Sequence, residues 1–201
     1  MRKRYDSWSR YYDAVDKFPV LSAGGRERRR LAVEMLRLRD GDVFADIGCG
    51  TGEMIALAMK RTKPEIALGL DFSPGMLRRT KAKVPRCEVV LADVGALPLP
   101  DESVDRMIAG YTLTSVPDVE ACVAEMARVL KPDGRLLVLD SKRPDSRAGR
   151  AVTAPTRAMA KLVGYTYMDR DTLGALKKRF RQLKLARFSG DLVYIGLFAK
   201  R

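Results

Sequence analysis

The run Asp46-Ile47-Gly48-Cys49-Gly50-Thr51-Gly52 decides how this chain is read. It closes a short apolar, β-rich stretch that begins at Val43, and it opens onto helix formers from Gly52 to Arg61. Glycine at every second position lets the chain turn tightly and lets a ligand lie against the backbone. The dinucleotide fingerprint G-x-G-x-x-G needs glycine at position 53, which is Glu53, and the G-K-S/T of a P-loop is absent. Glu53 in the first helical turn repels a phosphate, so the pyrophosphate site of a helix N-terminus is poorly matched. Acidic residues on both sides of the loop suit a cationic ligand instead.

Outward from this loop, strand and helix patterns alternate. Ile66–Asp71 reads as a second strand. Ser73 caps a helix over Pro74–Lys83, with proline in the first turn, where its missing N–H costs nothing. Glu88–Ala92 is a third strand and Asp105–Ala109 a fourth. Asp118 caps a helix over Val119–Leu130, which Lys131-Pro132-Asp133-Gly134 stops. Arg135–Asp140 is a fifth strand. Alternation of this kind means βαβ units and a parallel sheet, and the continuous apolar runs VFADI and LLVL fit strands covered on both faces. Farther on come a small-residue helix over Ala151–Leu162 and a basic helix capped by Asp171 that ends at Arg179. Strands Gln182–Phe188 and Leu192–Ala199 follow, around a Ser189-Gly190-Asp191 turn, as an antiparallel hairpin at one sheet edge. The expected fold is α/β: a Rossmann-like, doubly wound, seven-stranded, mostly parallel sheet with helices on both faces.

Composition narrows the chemistry. The chain has 201 residues and no histidine, which excludes Ser-His-Asp and Cys-His catalysis and any His-ligated metal. Its three cysteines, Cys49, Cys87 and Cys122, show no C-x-x-C spacing, so neither a disulfide framework nor a zinc ribbon is expected. No secretory h-region and no apolar run of membrane-spanning length is present, and a cytoplasmic protein is expected. Lysine and arginine outnumber aspartate and glutamate 38 to 25, a net charge of +13. Such an excess favours contact with nucleic acid or with the anionic inner face of a membrane, or it is a solvated, charge-rich surface.

Carboxylates recur at strand ends. Asp71 lies 23 residues beyond Gly48, where a carboxylate can accept from both hydroxyls of a ribose. Asp93 ends the third strand, where it can accept from an adenine amino group while the Val94 N–H meets a ring nitrogen. Together with Asp46 they line the crevice in which doubly wound sheets bind ligands.

The blocks DIGCGTG, LGLDFSPGML, LADVGALPLPDESVD and EMARVLKPDGRLLVLD, in that order, resemble the class I S-adenosylmethionine-dependent methyltransferases. RVLKPDGRLLVLDSKRP and the terminal SGDLVYIGLFAKR are most similar to the ubiquinone/menaquinone biosynthesis and phospholipid N-methyltransferase group. The resemblance implies S-adenosyl-L-methionine as cofactor. It implies cofactor contacts at Tyr5, Tyr12, Asp46, Gly48, Cys49, Gly50, Gly52, Asp71, Phe72, Met76, Asp93, Val94 and Gly110, and no metal. It implies one domain over 1–201: a helical cap over 1–30 that closes on the cofactor, a cofactor-binding core over 40–140 and a substrate-covering segment over 144–171.

The expected activity is methyl transfer to a small or lipid-like acceptor, a quinone precursor or a phospholipid headgroup. Two other readings stand beside it: an RNA methyltransferase, and a non-catalytic cofactor-binding regulatory protein. Where a proton must be removed, the candidates are Asp6, Asp13, Tyr11, Tyr12 and Tyr111, with Tyr111 and Asp13 taken as catalytic. The ring of Tyr111, just past the fourth strand, also suits a sulfonium cation. Met159, Leu162, Val163, Tyr165, Tyr167 and Met168, rimmed by Arg147, Arg150, Arg157 and Lys161, form an apolar lid with a basic edge suited to a lipid-like substrate.

Overall fold

In the computed structural model, which describes residues 25–162 and 170–201, alternate residues of each central strand enter different cores. Strand β1 (Val43–Ile47) sends Ala45 and Ile47 to one face of the sheet and Phe44 to the other. Strands β2 (Ile66–Asp71), β3 (Glu88–Leu91), β4 (Val104–Gly110) and β5 (Leu130–Ser141) run parallel to β1. In β5, Leu136 and Val138 join one core, while Leu137 and Leu139 join the other. All four are fully buried, so each contributes about 1.5–3 kcal/mol of apolar burial. The strands therefore have no polar face, as their unbroken apolar runs imply.

Helices cover both faces. Helices α1 (Gly25–Leu36), α2 (Glu53–Met59) and α3 (Pro74–Lys83) supply Ala32, Val33, Leu36, Met54, Ile55 and Leu77 to the Phe44 side. Helices α4 (Val119–Val129) and α6 (Thr172–Arg179) supply Cys122, Val123, Met126, Leu173 and Leu176 to the other. Helix α5 (Arg147–Leu162) stands between β5 and α6 in the chain. Strands β6 (Phe180–Phe188) and β7 (Val193–Lys200) complete a seven-stranded sheet of order β3-β2-β1-β4-β5-β7-β6, with β7 antiparallel to both neighbours. This is the expected doubly wound sheet with its C-terminal hairpin at one edge.

The caps fall where the sequence puts them. Ser73 Oγ accepts the Met76 N–H at 3.3 Å, Asp118 Oδ1 accepts that of Ala121 at 3.0 Å, and Asp171 Oδ1 accepts that of Gly174 at 2.8 Å. The Ser189-Gly190-Asp191 turn takes left-handed φ values of 51°, 63° and 69° in succession. Most boundaries agree within two residues, and two differ more. Helix α4 ends at Val129, and Lys131–Gly134 lies within β5 rather than closing the helix, because Leu130 already pairs with Val104 across an irregular register. Helix α5 begins at Arg147, four residues before the expected Ala151.

Candidate active site

The strand order reverses between β1 and β4, and the loops after these strands diverge there to open a crevice. Gly48, Gly50, Asp71, Phe72, Met76 and Val94 line one side; Gly110, Tyr111, Thr112, Ser115 and Val116 line the other.

The glycine loop is held from three directions. The N–H groups of Gly48 and Cys49 both donate to the Leu70 carbonyl, at 2.8 and 2.9 Å. The Gly50 N–H donates to Asp71 Oδ2 at 3.0 Å, and the Gly50 carbonyl accepts from Thr80 Oγ1 at 2.8 Å. Thr112 Oγ1 donates to the Ile47 carbonyl at 2.8 Å. Gly48, Gly50 and Gly52 all have left-handed φ, at 72°, 55° and 79°. A Cβ on Gly48 would lie 2.5 Å from Thr112 Oγ1, whereas one on Gly50 would meet nothing within 4 Å. Gly48 is glycine because the protein packs against it. Gly50 faces open space, where a ligand can approach the backbone.

Two carboxylates lie beneath this loop. Asp71 is 6% exposed and spends one oxygen on Gly50 and the other on the Ser73 N–H at 2.9 Å. A carboxylate oxygen can accept more than one hydrogen bond. Asp46 is buried at the end of β1, and its Oδ2 has no hydrogen-bond partner. Burial, and then the neighbouring Asp71 charge, push its pKa up to about 8, against the pull of Arg29. A buried carboxylate with an orphaned oxygen, beside glycines that admit a ligand backbone-close, fits a cofactor with a cationic end.

Other predicted positions divide. Gly52 is the left-handed residue that starts α2 and does not line the crevice. Cys49 is buried, with Sγ 3.7 Å from Thr80 Oγ1, and burial drives its thiol well above the ordinary range, so it packs as a neutral group. Asp93 lies outside the crevice lining, exposed, its Oδ1 taking the Gly95 N–H at 2.9 Å. Val94 does line the crevice. Tyr111 has a left-handed φ of 56°, donates its N–H to the Leu139 carbonyl at 2.7 Å, and carries the Arg29 guanidinium 5.9 Å from its ring centroid. The ring proposed for a sulfonium thus already faces a side-chain cation. Tyr5, Asp6, Tyr11, Tyr12 and Asp13 lie outside the described residues, as do Val163, Tyr165, Tyr167 and Met168. The side chains of Arg157, Met159, Lys161 and Leu162 do too. In the same segment, Arg147 is exposed, Arg150 donates to the Pro144 and Asp145 carbonyls, and Val152 is 76% exposed.

Three contributors carry no local signal in the sequence. Thr80 and Thr112 pin the glycine loop from α3 and from the β4 loop. Asp140, fully buried at the end of β5, organises that β4 loop. It accepts from the N–H groups of Leu113 (2.8 Å), Thr114 (3.3 Å) and Ser141 (2.7 Å), and from Thr114 Oγ1 (2.6 Å). Burial raises its pKa to about 6, and these hydrogen bonds oppose a larger rise.

The chain is similar to known proteins in sequence and in fold. A family model described as a methyltransferase domain matches residues 45–138. The chain is 34% identical over 155 residues to a demethylmenaquinone methyltransferase of Symbiobacterium thermophilum, covering 73% of this chain and 61% of the relative. It is 34% identical over 144 residues to a ubiquinone/menaquinone biosynthesis C-methyltransferase of Geobacter sulfurreducens, covering 68% of this chain and 56% of the relative. The chain therefore spans under two thirds of the length of these relatives. Among solved structures, an S-adenosylmethionine-dependent methyltransferase of Thermotoga maritima, titled a possible histamine N-methyltransferase, superposes with a TM-score of 0.74 at 21% identity. That alignment covers 98% of this chain and 100% of the other, and at such identity it establishes the fold.

Proposed function

We propose that this chain, whose residues 45–138 match a methyltransferase-domain family model, is a class I S-adenosylmethionine-dependent methyltransferase that methylates a ring carbon of a small quinone precursor. The observation that carries the cofactor half of this reading is the orphaned Asp46 oxygen beneath a glycine loop whose Gly50 faces open space. The acceptor half rests on the 34% identity to a demethylmenaquinone methyltransferase and to a ubiquinone/menaquinone biosynthesis C-methyltransferase.

When bound, S-adenosylmethionine supplies a methyl group on a sulfonium, an electrophile that needs positioning more than covalent help. The chain's residues then have separable tasks. Asp71 would take the ribose hydroxyls and Asp46 the ammonium of the amino-acid end. The Val94 N–H would meet the adenine ring, and Phe72 and Met76 would supply apolar contact. Transfer of that methyl group to a ring carbon would displace a hydrogen, which would leave as a proton. Tyr111 stands at the wall facing that chemistry and is our candidate to receive it, together with Asp13.

The test is transfer of radiolabelled methyl from S-adenosylmethionine to a demethylated naphthoquinol, to phospholipid vesicles and to RNA in parallel. Label in the quinol alone is expected. Label in RNA or phospholipid alone would overturn the acceptor assignment, and cofactor binding without transfer to any fraction would favour a regulatory role.

A further inference from the structure

The amino-acid end of the cofactor carries a carboxylate as well as an ammonium, and the crevice is poorly prepared for a second negative charge. Asp46 and Asp71 are both buried at the strand ends, and their mutual repulsion is already visible at Asp46. A ligand carboxylate entering beside them requires a cation. Lys83, beside the start of α2, is engaged with Glu53 and Thr51.

Arg29 answers this need by its position. It lies on α1 three, four and seven residues before Ala32, Val33 and Leu36, the buried face that seats this helix on the sheet. Its own side chain is half-buried on that face. Its guanidinium reaches Tyr111, whose ring lines the crevice and whose backbone is locked by the bond to Leu139. Its charge is also felt at Asp46, where it favours the ionised carboxylate. One arginine therefore stands electrostatically between the Asp46 end of β1 and the Tyr111 end of β4. A guanidinium offers donors in a planar fork that matches a carboxylate, and an aromatic platform limits the ways it can turn.

We propose that Arg29 grips the carboxylate of the cofactor's amino-acid end, with the Tyr111 ring as the platform that orients it. This rests on the cofactor reading above and goes beyond it by assigning the anionic half of the amino-acid end to a residue outside the glycine loop.

The test is calorimetric titration of the full chain with two ligands. S-adenosylhomocysteine has the amino-acid end; 5′-methylthioadenosine lacks it. Arg29→Met keeps a flexible side chain over the ring and removes the charge. It should weaken S-adenosylhomocysteine by about tenfold or more while changing 5′-methylthioadenosine by less than about twofold. Arg29→Lys, which keeps the charge without the fork, should fall between Met and wild type. Equal losses for both ligands, or no loss for either, would overturn the assignment. If wild-type protein binds neither ligand, the cofactor reading itself fails and this inference falls with it. Far-UV circular dichroism of each variant separates loss of a contact from loss of the fold.

Discussion

Two loops meet at the crevice, and they are held in place by different physics. The loop after β1 takes its turn from its own left-handed glycines and backbone hydrogen bonds to the next strand, with Thr80 and Thr112 as added clamps. The loop after β4 contains no glycine from Tyr111 to Val116 and is shaped by a distant carboxylate, Asp140, which accepts from two of its N–H groups and one hydroxyl. The first loop tolerates no added atom where it packs. The second depends on a buried polar cluster staying satisfied. A local pattern can therefore specify one wall of a binding site, while the facing wall is specified only by contacts made across the sheet.

The largest expected effect concerns the charge buried beneath the first loop. Asp46 ionises near 3.8 when unfolded and at about 8 when folded. The folded state thus holds a proton that the unfolded state releases. The associated stability is fully present below pH 4 and is lost as pH rises toward 8. Asp46→Asn, which cannot ionise, should gain on the wild type by about 1.4 kcal/mol per pH unit through that window, read from denaturant unfolding in a pH series. A difference that stays flat with pH would mean that Asp46 is charged in the folded, ligand-free protein.

A glycine pair then separates packing from ligand approach. Gly48→Ala should cost about 3 kcal/mol, from left-handed strain of about 1–2 kcal/mol plus displacement of Thr112, and should lower both melting temperature and cofactor affinity. Gly50→Ala carries the strain of about 1–2 kcal/mol alone, so affinity should fall further than stability. Equal behaviour of the two variants would erase the distinction between a packed and an open glycine.

On the second loop, Asp140→Ala strands the Leu113 and Thr114 N–H groups and should cost about 2–3 kcal/mol. Asp140→Asn retains an acceptor and should recover part of that loss. Unchanged denaturation midpoints in both would show that the loop holds itself. The smallest effect belongs to Thr80→Val, which removes one hydrogen bond to the Gly50 carbonyl and should cost about 1 kcal/mol. If its loss matched that of Gly48→Ala, the first loop would also depend on a remote clamp.

Much of the architecture was legible along the chain. The caps at Ser73, Asp118 and Asp171 were readable because a cap is a contact over three residues. The central strands were readable because both faces are buried. The hairpin turn was readable because Gly190 sits between polar residues that tolerate left-handed φ. The Lys131–Gly134 segment was not, because its strand assignment comes from pairing with β4, 26 residues away at Val104 and Leu130. Within the site, Gly48, Gly50 and Asp71 were apparent from spacing. Thr112, Thr80 and Asp140 were hidden, since their partners lie 65, 30 and 26 residues away. The basic run at residues 177–181 spans the end of α6 and the start of β6. In the structure Phe180 from this run is buried, while Arg181, with Lys184 and Arg187 farther along, charges the exposed edge strand β6, a means of discouraging strand addition.

By itself, the sequence determined the order of strands and helices, the helix starts and the glycine loop, because each depends on near neighbours and on backbone freedom. The tertiary structure alone decided which glycine packs and which stays open, that Asp46 is left with an unpaired oxygen, and that Arg29 reaches the ring of Tyr111. Burial and pairing across the sheet are properties of the assembled fold, and the charge state of a carboxylate follows from them rather than from its place in the chain.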